Sequence, residues 1–196
     1  MSSDPFRVLA VCTGNICRSP ATELLLAAGL SDDPRFDVSS AGTHAMAGWP
    51  ISPPMDELLA DLGIPSDRFT ARQATRSLLA GSDLILTATR EHREWVVGEQ
   101  PRALRRVFTL TEFADAVRDH GDTSGTRGMS AAELVAWAAA NRPSARIADL
   151  GSVTRRGYLE GDILDPYGRG RAAYHASLAQ IEPLTASIGR ALRASR

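Results

Sequence analysis

Cys12 and Cys17 are the two cysteines of this 196-residue chain, and Arg18 directly follows the second one. Between the cysteines lie Gly14 and Asn15, residue types that tolerate the positive φ angles of a tight loop. A cysteine thiolate is a strong nucleophile, and the planar guanidinium of an arginine can bind two oxygens of one phosphate group. The spacing of these side chains therefore predicts attack on a bound phosphate group by Cys12.

The elements on either side of this loop would bring its backbone amides together. Residues 6–11 are apolar and predict a buried strand, and residues 21–30 predict a helix with Pro20 at its first position. A loop between a strand and a helix N-terminus can point several N–H groups at one anion. The same amides would favour the thiolate of Cys12, and the Ser19 hydroxyl would hydrogen-bond it.

Strands and helices alternate along most of the chain. Short apolar runs predict further strands at residues 36–41, 83–88 and 106–110. Helical spacing of apolar residues predicts helices at residues 53–62, 72–79, 91–97 and 171–193. We expect the last helix to be bent or interrupted near Pro183. The alternation favours an α/β fold, a three-layer sandwich with a four-stranded parallel sheet and helices on both faces.

The regular pattern loosens between residues 114 and 162. Two glycine-containing stretches there are typical of loops, residues 121–128 and residues 151–161. Between them, Ser130 and Glu133 form a capping-box motif that predicts a helix ending at Ala140. We therefore expect one domain over residues 1–196 that carries an inserted loop and helix segment around residues 114–162. The inserted helix could serve as a lid, as an oligomer contact or as neither.

Composition excludes several classes of protein. The formal net charge is -1, which disfavours a general nucleic-acid or membrane binder. No apolar run approaches the roughly 20 residues that span a bilayer, and the N-terminus lacks the features of a signal peptide. Two cysteines are too few for a disulfide framework, and the four histidines lack ligand spacing. We predict a cytoplasmic protein without a metal or cofactor, and make no prediction of its oligomeric state.

Residues 12–20 resemble the active-site loop of the low-molecular-weight protein-tyrosine phosphatases. The signature of that family is Cys-x-Gly-Asn-x-Cys-Arg-Ser-Pro, and all seven fixed positions match. Residues 40–43, Ser-Ala-Gly-Thr, are similar to the segment after the second strand of the family. Residues 165–167, Asp-Pro-Tyr, are similar to the segment that supplies its general acid. Matching stretches cover the first ~110 residues with gaps, and the chain from Asp162 onward.

The resemblance implies hydrolysis of phosphotyrosine in proteins, or of small aryl phosphates, with phosphate as product. Cys12 would form a phosphocysteine, Arg18 would bind the phosphate, and Asp165 would act as general acid and then general base. Ser40 would hydrogen-bond Asn15 and hold its strained backbone. The residues expected to bind phosphate or substrate are Thr13, Gly14, Asn15, Ile16, Cys17, Ser19, Met46 and Tyr167.

Three positions leave questions open. Met46 stands where many relatives of that family carry Trp, and Thr89 stands where relatives often carry an acid, so substrate preference is open. Cys17 could trap oxidised Cys12 as a disulfide, or it could simply pack beneath the loop. The histidines His44, His92, His120 and His175 are interpreted as structural or solvent-facing.

Two alternative functions remain at this point. Arsenate reductases share this fold and a similar loop. Their usual cycle needs further cysteines downstream, and no cysteine follows Cys17, but a version coupled to a small thiol could run on one cysteine. The reductases more often place Gln after the loop Ser, where this chain has Pro20. A phosphate-binding module with an inactive centre is the other alternative. The presence of Cys12, Arg18 and Asp165 together argues against the inactive module.

Overall fold

A parallel sheet of four strands forms the centre of the protein and confirms the predicted fold class. The structure, a computed structural model, describes residues 4–30, 33–121, 128–142 and 161–196. The strands are β1 (Phe6–Cys12), β2 (Phe36–Gly42), β3 (Leu84–Thr87) and β4 (Val107–Thr109). Their order in the sheet is β2-β1-β3-β4, and all neighbouring pairs are parallel.

Helices cover both faces of the sheet. In the described ranges the α-helices are α1 (Arg18–Gly29), α2 (Pro53–Asp61), α3 (Arg76–Ala80), α4 (Arg90–Glu99), α5 (Leu110–Gly121), α6 (Ala131–Ala140) and α7 (Arg171–Ala194), and residues Pro101–Ala103 form a 3-10 helix. None of these helices combines the length and the apolar character that crossing a membrane requires.

Alternate residues of β1 enter two separate hydrophobic cores. Val8 and Cys12 belong to the larger core, which α1, α2, α5, α6 and α7 complete. Leu9 and Val11 belong to the smaller core on the opposite face, which includes Leu79 of α3 and residues of α4. Because successive side chains of a strand point to opposite faces, the part of β1 that lies between the two cores, Val8 to Cys12, has to be apolar. This arrangement explains the continuous apolar run that precedes Cys12.

The order of the strands opens a crevice at one edge of the sheet. From β1 the chain passes through α1 to β2 on one side, and later reaches β3 on the other side of β1. In parallel α/β sheets, ligands bind at the carboxyl ends of strands where the connections diverge in this way. Cys12 is the last residue of β1 and Ala88 directly follows β3, so both lie at this crevice.

Two predicted helix boundaries need correction. Helix α1 begins at Arg18, so Pro20 is its third residue and not its first. Proline is accepted there because the first four amides of a helix have no acceptor within the helix. The short helix predicted at residues 72–79 is confined to Arg76–Ala80, since Gln73 instead forms a parallel bridge with Gly42.

Helix α5 was not predicted, although its sequence carries a clear signal. The expectation that the pattern loosens from residue 114 is wrong, because the helix runs from Leu110 to Gly121. Its buried residues follow helical spacing: Leu110, Phe113, Ala114 and Val117. Thr109 and Glu112 cap its start, with Thr109 N donating to Glu112 Oε2 at 2.8 Å and Glu112 N donating to Thr109 Oγ1 at 3.1 Å. Assigning Leu110 to a strand concealed this start.

Helix α7 continues through Pro183, so the predicted interruption does not occur. A proline removes the hydrogen bond to the carbonyl four residues earlier, here that of Ala179. Both Pro183 and Ala179 lie on the exposed face of α7, where water can bind that carbonyl. The opposite face is buried and includes Ile181 and Ile188, which hold the helix on the core.

The predicted helix of the inserted segment is confirmed as α6. Ser130 and Glu133 form the expected capping box, with Ser130 N donating to Glu133 Oε2 at 2.8 Å. Beyond α6, the Arg142 guanidinium donates to Val107 O at 2.6 Å and lies 4.3 Å from the centre of the Phe108 ring. This contact covers part of the open edge of β4. The loops predicted at residues 121–128 and 151–161 lie outside the described residues, except for residues 121, 128 and 161.

Candidate active site

Four carbonyl groups of residues 12–18, here called the phosphate loop, point away from the centre of the loop. They accept hydrogen bonds from the neighbouring segment: Thr43 N to Cys12 O (2.9 Å), His44 N to Thr13 O (3.0 Å), Met46 N to Gly14 O (2.9 Å) and Ser52 N to Ile16 O (2.8 Å). Because the N–H and C=O of a trans peptide point in opposite directions, the loop amides face inward. Within the described ranges, the amides of residues 13–17 donate to no other backbone carbonyl. This ring of inward amides can bind an oxyanion.

Asn15 holds the tightest turn of the phosphate loop. Its φ of 56° lies in the left-handed region, and its side chain is fully buried. The Asn15 amide donates to Ser40 Oγ at 2.7 Å and to Ser19 Oγ at 2.9 Å, while its Oδ1 accepts from Arg72 N at 2.8 Å. Ser40 in turn donates to Glu23 at 2.5 Å. The predicted contact between Ser40 and Asn15 is therefore confirmed.

The Cys12 thiol lies at the base of the loop beside the Ser19 hydroxyl. Cys12 Sγ and Ser19 Oγ are 3.0 Å apart, and both residues are buried. The Asn15 amide donates to Ser19 Oγ, so the hydroxyl proton of Ser19 is left for an acceptor. Cys12 Sγ at 3.0 Å is nearer than the other acceptor, Ala41 O at 3.5 Å. A hydroxyl that donates to sulfur stabilises the thiolate form, both as a nucleophile and as a leaving group.

Cys17 differs from Cys12 in its surroundings. Burial, with a smaller contribution from the nearby Cys12, raises the pKa of Cys17 to about 12, although hydrogen bonds with Tyr174 and Ser52 act in the opposite direction. Ser52 and Tyr174 are themselves joined at 3.1 Å. Cys17 therefore stays a protonated thiol near neutral pH, and both cysteines are free. This geometry supports packing beneath the loop, and a disulfide with Cys12 stays a prediction.

Arg18 connects the phosphate loop to the segment that carries Asp165. It is the first residue of α1 and is only 4% exposed. Its Nη2 lies 3.1 Å from Asp165 Oδ2, and its Nη1 donates to Ile163 O at 3.4 Å. Arg18 Nε is buried and has no hydrogen-bond partner among the residues that the structure describes. An oxyanion held by the loop would supply the acceptor that this Nε–H requires.

Residues 162–167, here called the acid segment, bring Asp165 and Tyr167 to the mouth of the loop. Ile163 N donates to Ala88 O at 2.9 Å, which ties the segment to the end of β3. The Asp165 side chain is 39% exposed and Tyr167 is 56% exposed. Tyr167 N donates to Asp165 Oδ1 at 3.3 Å, so the carboxylate also orders its own turn. Asp165 thus contacts both solvent and the phosphate-binding arginine.

A cleft of about 210 Å³ lies above Cys12. Its lining residues are Cys12, Thr13, Gly14, Ile16, Cys17, Arg18, His44, Met46, Asp165 and Tyr167. With the exception of His44, each of these residues was expected from the sequence. Asn15 and Ser19 were also expected but do not line the cleft, because they lie behind the loop and hold its shape. The walls above the phosphate position, formed by Ile16, Met46 and Tyr167, are mainly apolar.

Sequence reasoning missed the contact of His92 with the phosphate loop. His92 is buried, with Nε2 2.8 Å from Thr13 Oγ1 and Nδ1 2.7 Å from Thr89 Oγ1. Burial lowers the pKa of His92 to about 3, and the charge of Arg18 acts in the same direction, so the ring is neutral. Thr89 also caps α4, because its Oγ1 accepts from His92 N at 3.3 Å. A Thr-x-x-His motif directly after a central strand was the available signal.

Of two other histidines, His175 agrees with its interpretation as structural or solvent-facing, and His44 agrees only in part. His44 is exposed as expected, yet it lines the cleft and has its Nδ1 3.3 Å from Thr43 Oγ1. His175 is exposed on α7. Over the described ranges, no three His, Cys, Asp or Glu side chains are grouped so that they could hold a metal ion.

Comparisons with known proteins agree with this geometry. The sequence model of the family described as "Low molecular weight phosphotyrosine protein phosphatase" matches residues 7–133. The "Probable low molecular weight protein-tyrosine-phosphatase EpsP" of Ralstonia nicotianae is 38% identical over 106 residues, which are 54% of this chain and 71% of that protein.

Other relatives match along nearly the whole chain. The "Protein-arginine-phosphatase" of Geobacillus stearothermophilus is 27% identical over 192 residues, which are 96% of this chain and 97% of that protein. The solved structure of the "YwlE arginine phosphatase from Geobacillus stearothermophilus" superposes with a TM-score of 0.69 at 26% identity, covering 96% of this chain and 94% of that one. The family match spans more than half of this chain and includes the whole phosphate loop. The chain belongs to the low molecular weight phosphotyrosine protein phosphatases, a family of hydrolases.

Proposed function

We propose that this protein hydrolyses phosphotyrosine through a phosphocysteine on Cys12. One observation carries the proposal: the Cys12 thiol lies beneath a ring of inward amides, with Arg18 and Asp165 paired across its mouth. Nucleophile, oxyanion site and proton donor are thus the walls of one cleft. This combination is what transfer of a phosphoryl group to sulfur requires.

In the first step the Cys12 thiolate attacks phosphorus, an S–P bond forms, and the bond between phosphorus and the phenolic oxygen breaks. The loop amides and Arg18 stabilise the charge on the three equatorial oxygens. Arg18 exchanges its contact with Asp165 for contacts with these oxygens, which frees the carboxyl group. Asp165, in its protonated form, donates its proton to the departing phenolate.

In the second step Asp165 acts as a base. It takes a proton from a water molecule, and the resulting hydroxide attacks phosphorus while the S–P bond breaks. The Ser19 hydroxyl, 3.0 Å from Cys12 Sγ, stabilises the thiolate that leaves. Inorganic phosphate then departs, and both Cys12 and Asp165 return to their starting states.

The shape of the cleft favours an aryl phosphate. Cys12 is 2% exposed, whereas Tyr167 at the rim is 56% exposed, so a substrate must reach inward to place phosphorus on sulfur. A phosphotyrosine side chain has this reach, and its flat ring suits the apolar walls formed by Ile16, Met46 and Tyr167. Phosphoserine is shorter and would leave those walls unfilled.

Phosphoarginine is the second candidate substrate. The nearly complete coverage of an arginine phosphatase from Geobacillus stearothermophilus favours it, since the match to EpsP covers only 54% of this chain. Recognition of a guanidinium group calls for carboxylate or other acceptor groups in the wall. The carboxylate in the lining is Asp165, which already pairs with Arg18. The apolar wall therefore ranks phosphotyrosine first.

The family match favours hydrolysis over arsenate reduction. Asp165, which lines the cleft next to Arg18, is a carboxyl group for proton transfer that a binding module would not need. The proposal also retains one domain over residues 1–196, because α7 near the C-terminus packs on α1 near the N-terminus. It retains the cytoplasmic location as well, since the mechanism requires a free Cys12 thiol.

Two variants test the mechanism with an aryl phosphate and with phosphotyrosine and phosphoarginine peptides. Cys12→Ser should reduce kcat by ~10⁵-fold or more because a hydroxyl is a far weaker nucleophile at neutral pH. Asp165→Asn should reduce kcat by ~10²–10³-fold because it removes the proton donor. Asp61→Asn, on the exposed end of α2, is the matched control and should retain wild-type turnover.

Each outcome bears on a different part of the proposal. Near-normal turnover by Cys12→Ser would exclude the phosphocysteine route. Faster wild-type turnover of the phosphoarginine peptide than of the phosphotyrosine peptide would overturn the ranking of substrates and leave the mechanism intact.

A further inference from the structure

The acid segment is attached to the start of helix α4 through Asp162. Asp162 Oδ1 accepts a hydrogen bond of 2.9 Å from the backbone amide of Arg90, the first residue of α4. The next residue, Ile163, donates to Ala88 O at 2.9 Å. Two consecutive residues thus fix the segment to the loop that joins β3 to α4. Asp162 does not line the cleft, so it does not contact a substrate there.

The charge of Asp162 suits this attachment. The N-terminus of a helix carries partial positive charge and unpaired amides, so a carboxylate placed there is stabilised. Asp162 is half-buried, and burial raises its pKa overall, although the hydrogen bond with the Arg90 amide and the charges of Arg90 and Arg18 favour the carboxylate and oppose this rise. The Thr89 hydroxyl binds the amide of His92, and Asp162 binds that of Arg90, so two acceptors share the first turn of α4.

The contacts of Asp165 itself are weaker constraints. Its carboxylate pairs with Arg18, which would turn to the oxygens of a bound phosphate, and it also accepts a hydrogen bond of 3.3 Å from the amide of Tyr167. When Arg18 turns to the phosphate oxygens, the position of Asp165 depends on the residues before it. Those residues are held by Asp162, by Ile163 and by Leu164, whose amide donates to Gln180 Oε1 at 2.9 Å.

The same helix turn also contacts the phosphate loop. His92, one turn into α4, lies 2.8 Å from the Thr13 hydroxyl of that loop. The start of α4 therefore binds the nucleophile side through His92 and the acid side through Asp162. Because the start of α4 is rigid, it fixes the distance between the phosphate loop and the acid segment. Proton transfer to the ester oxygen requires this distance to be held to within about 1 Å.

We propose that Asp162 is a positioning residue that holds Asp165 at the leaving-group oxygen by binding the amide at the start of α4. This inference rests on the proposed function, because it needs Asp165 to act as the general acid. It assigns to Asp162 no contact with substrate and no proton transfer. Loss of Asp162 should therefore resemble a partial loss of Asp165 and leave phosphate binding intact.

The test uses Asp162→Ala and Asp162→Asn with aryl phosphates whose phenols range from strongly to weakly acidic. Asp162→Ala should reduce kcat/KM by ~10–100-fold for weakly acidic phenols, which need a proton donor, and by less than about threefold for strongly acidic ones. Asp162→Asn should fall between Asp162→Ala and wild type, because its amide oxygen can still accept from Arg90. Competitive inhibition by inorganic phosphate should change by less than about twofold. Asp61→Ala serves as the surface control.

A double variant separates positioning from general destabilisation. If Asp162 acts through Asp165, Asp162→Ala should have little further effect on kcat/KM in the Asp165→Asn background. The proposal would be overturned if Asp162→Ala lost kcat/KM equally for all phenols, if it bound inorganic phosphate more weakly, or if its loss were fully additive with that of Asp165→Asn. Wild-type kcat/KM in Asp162→Ala would overturn it as well. Failure of the proposed function looks different, because the wild-type protein would then not turn over any of these esters.

Discussion

The phosphate loop and the acid segment face each other across one cleft, yet they are held very differently. In the phosphate loop, Asn15 is fully buried, Cys12 is 2% exposed, as is the adjoining Ser19, and carbonyls along the loop accept backbone hydrogen bonds. In the acid segment, the Asp165 side chain is 39% exposed and Tyr167 is 56% exposed. One side of the cleft is built in advance, and the other side is open to solvent and to the substrate.

The difference follows from what each side does. Dipoles that stabilise a developing charge are most effective when they need no rearrangement, which favours a buried and fully bonded loop. A general acid that later activates water must admit first a leaving group and then a water molecule, which favours exposure. The phosphate oxygens have the same geometry in every substrate, whereas the leaving group varies. The fixed side therefore binds the constant part of the substrate.

Apart from loss of the nucleophile itself, the largest expected effect comes from breaking the fixed side at Asn15. Asn15→Ala removes the hydrogen bonds to Ser40 and Ser19 and the one from Arg72 N, and leaves a residue that resists positive φ by about 1–2 kcal/mol. We expect kcat/KM for an aryl phosphate to fall by ~10²–10³-fold and the free energy of unfolding to fall by about 2–4 kcal/mol. Steady-state kinetics and urea denaturation measure the two losses.

Asn15→Gly separates the backbone from the side chain in that experiment. Glycine accepts a φ of 56° without strain but makes none of the three side-chain bonds. If Asn15→Gly matched the wild type in kcat/KM, the hydrogen-bond network would have no part in shaping the loop. Ser40→Ala, which removes one partner of Asn15, should give a smaller loss than either Asn15 variant.

Replacing His92 should have a smaller effect, on how the stability of the fixed side depends on pH. Burial, together with the charge of Arg18, lowers its pKa from 6.5 to about 3. Between these two pH values the imidazole is protonated in the unfolded chain but stays neutral in the folded protein. Its contribution to stability is therefore complete above pH 6.5 and is lost as pH falls from there toward 3, by at most ~1.4 kcal/mol per pH unit. His92→Gln, which cannot titrate, should flatten the fall in stability between pH 6 and pH 4 by about 1 kcal/mol per unit.

The control for His92→Gln is His175→Gln on the exposed face of α7. Carboxylates titrate alike in all three proteins, so only the difference between the slopes matters. Urea denaturation at several pH values gives these slopes. Equal slopes for wild type and His92→Gln would mean that the imidazole is not held neutral against the phosphate loop.

The phosphate loop could be predicted from the sequence because its parts are neighbours along the chain. Cys12, Asn15, Arg18 and Ser19 each have their expected location. The contact of Ser40 with Asn15 was implied by the resemblance to the family. The acid segment was found by its resemblance to a family motif. Its attachment to α4 was not, because the contact of Asp162 with Arg90 depends on how distant elements meet.

The remaining differences have local causes. Helix α5 was missed because Leu110 suits both the end of a strand and the start of a helix, and short apolar runs do not distinguish the two. His92 was interpreted by itself, without the Thr89 that caps its helix and binds its ring. In both cases the deciding information was a pair of residues three apart, which indicates a helix start.

Tyr167 gives the smallest expected effect and tests the open side of the cleft. Its ring forms part of the wall but is 56% exposed, so it can add stacking to a phosphotyrosine ring without holding the catalytic groups in place. Tyr167→Ala should raise KM for a phosphotyrosine peptide by ~3–10-fold, equivalent to about 0.7–1.4 kcal/mol, with kcat changed by less than about twofold. Tyr167→Phe keeps the ring and should match the wild type. A fall in kcat at unchanged KM would instead mean that this wall positions Asp165, and the contrast between a fixed and an open side would then fail at Tyr167.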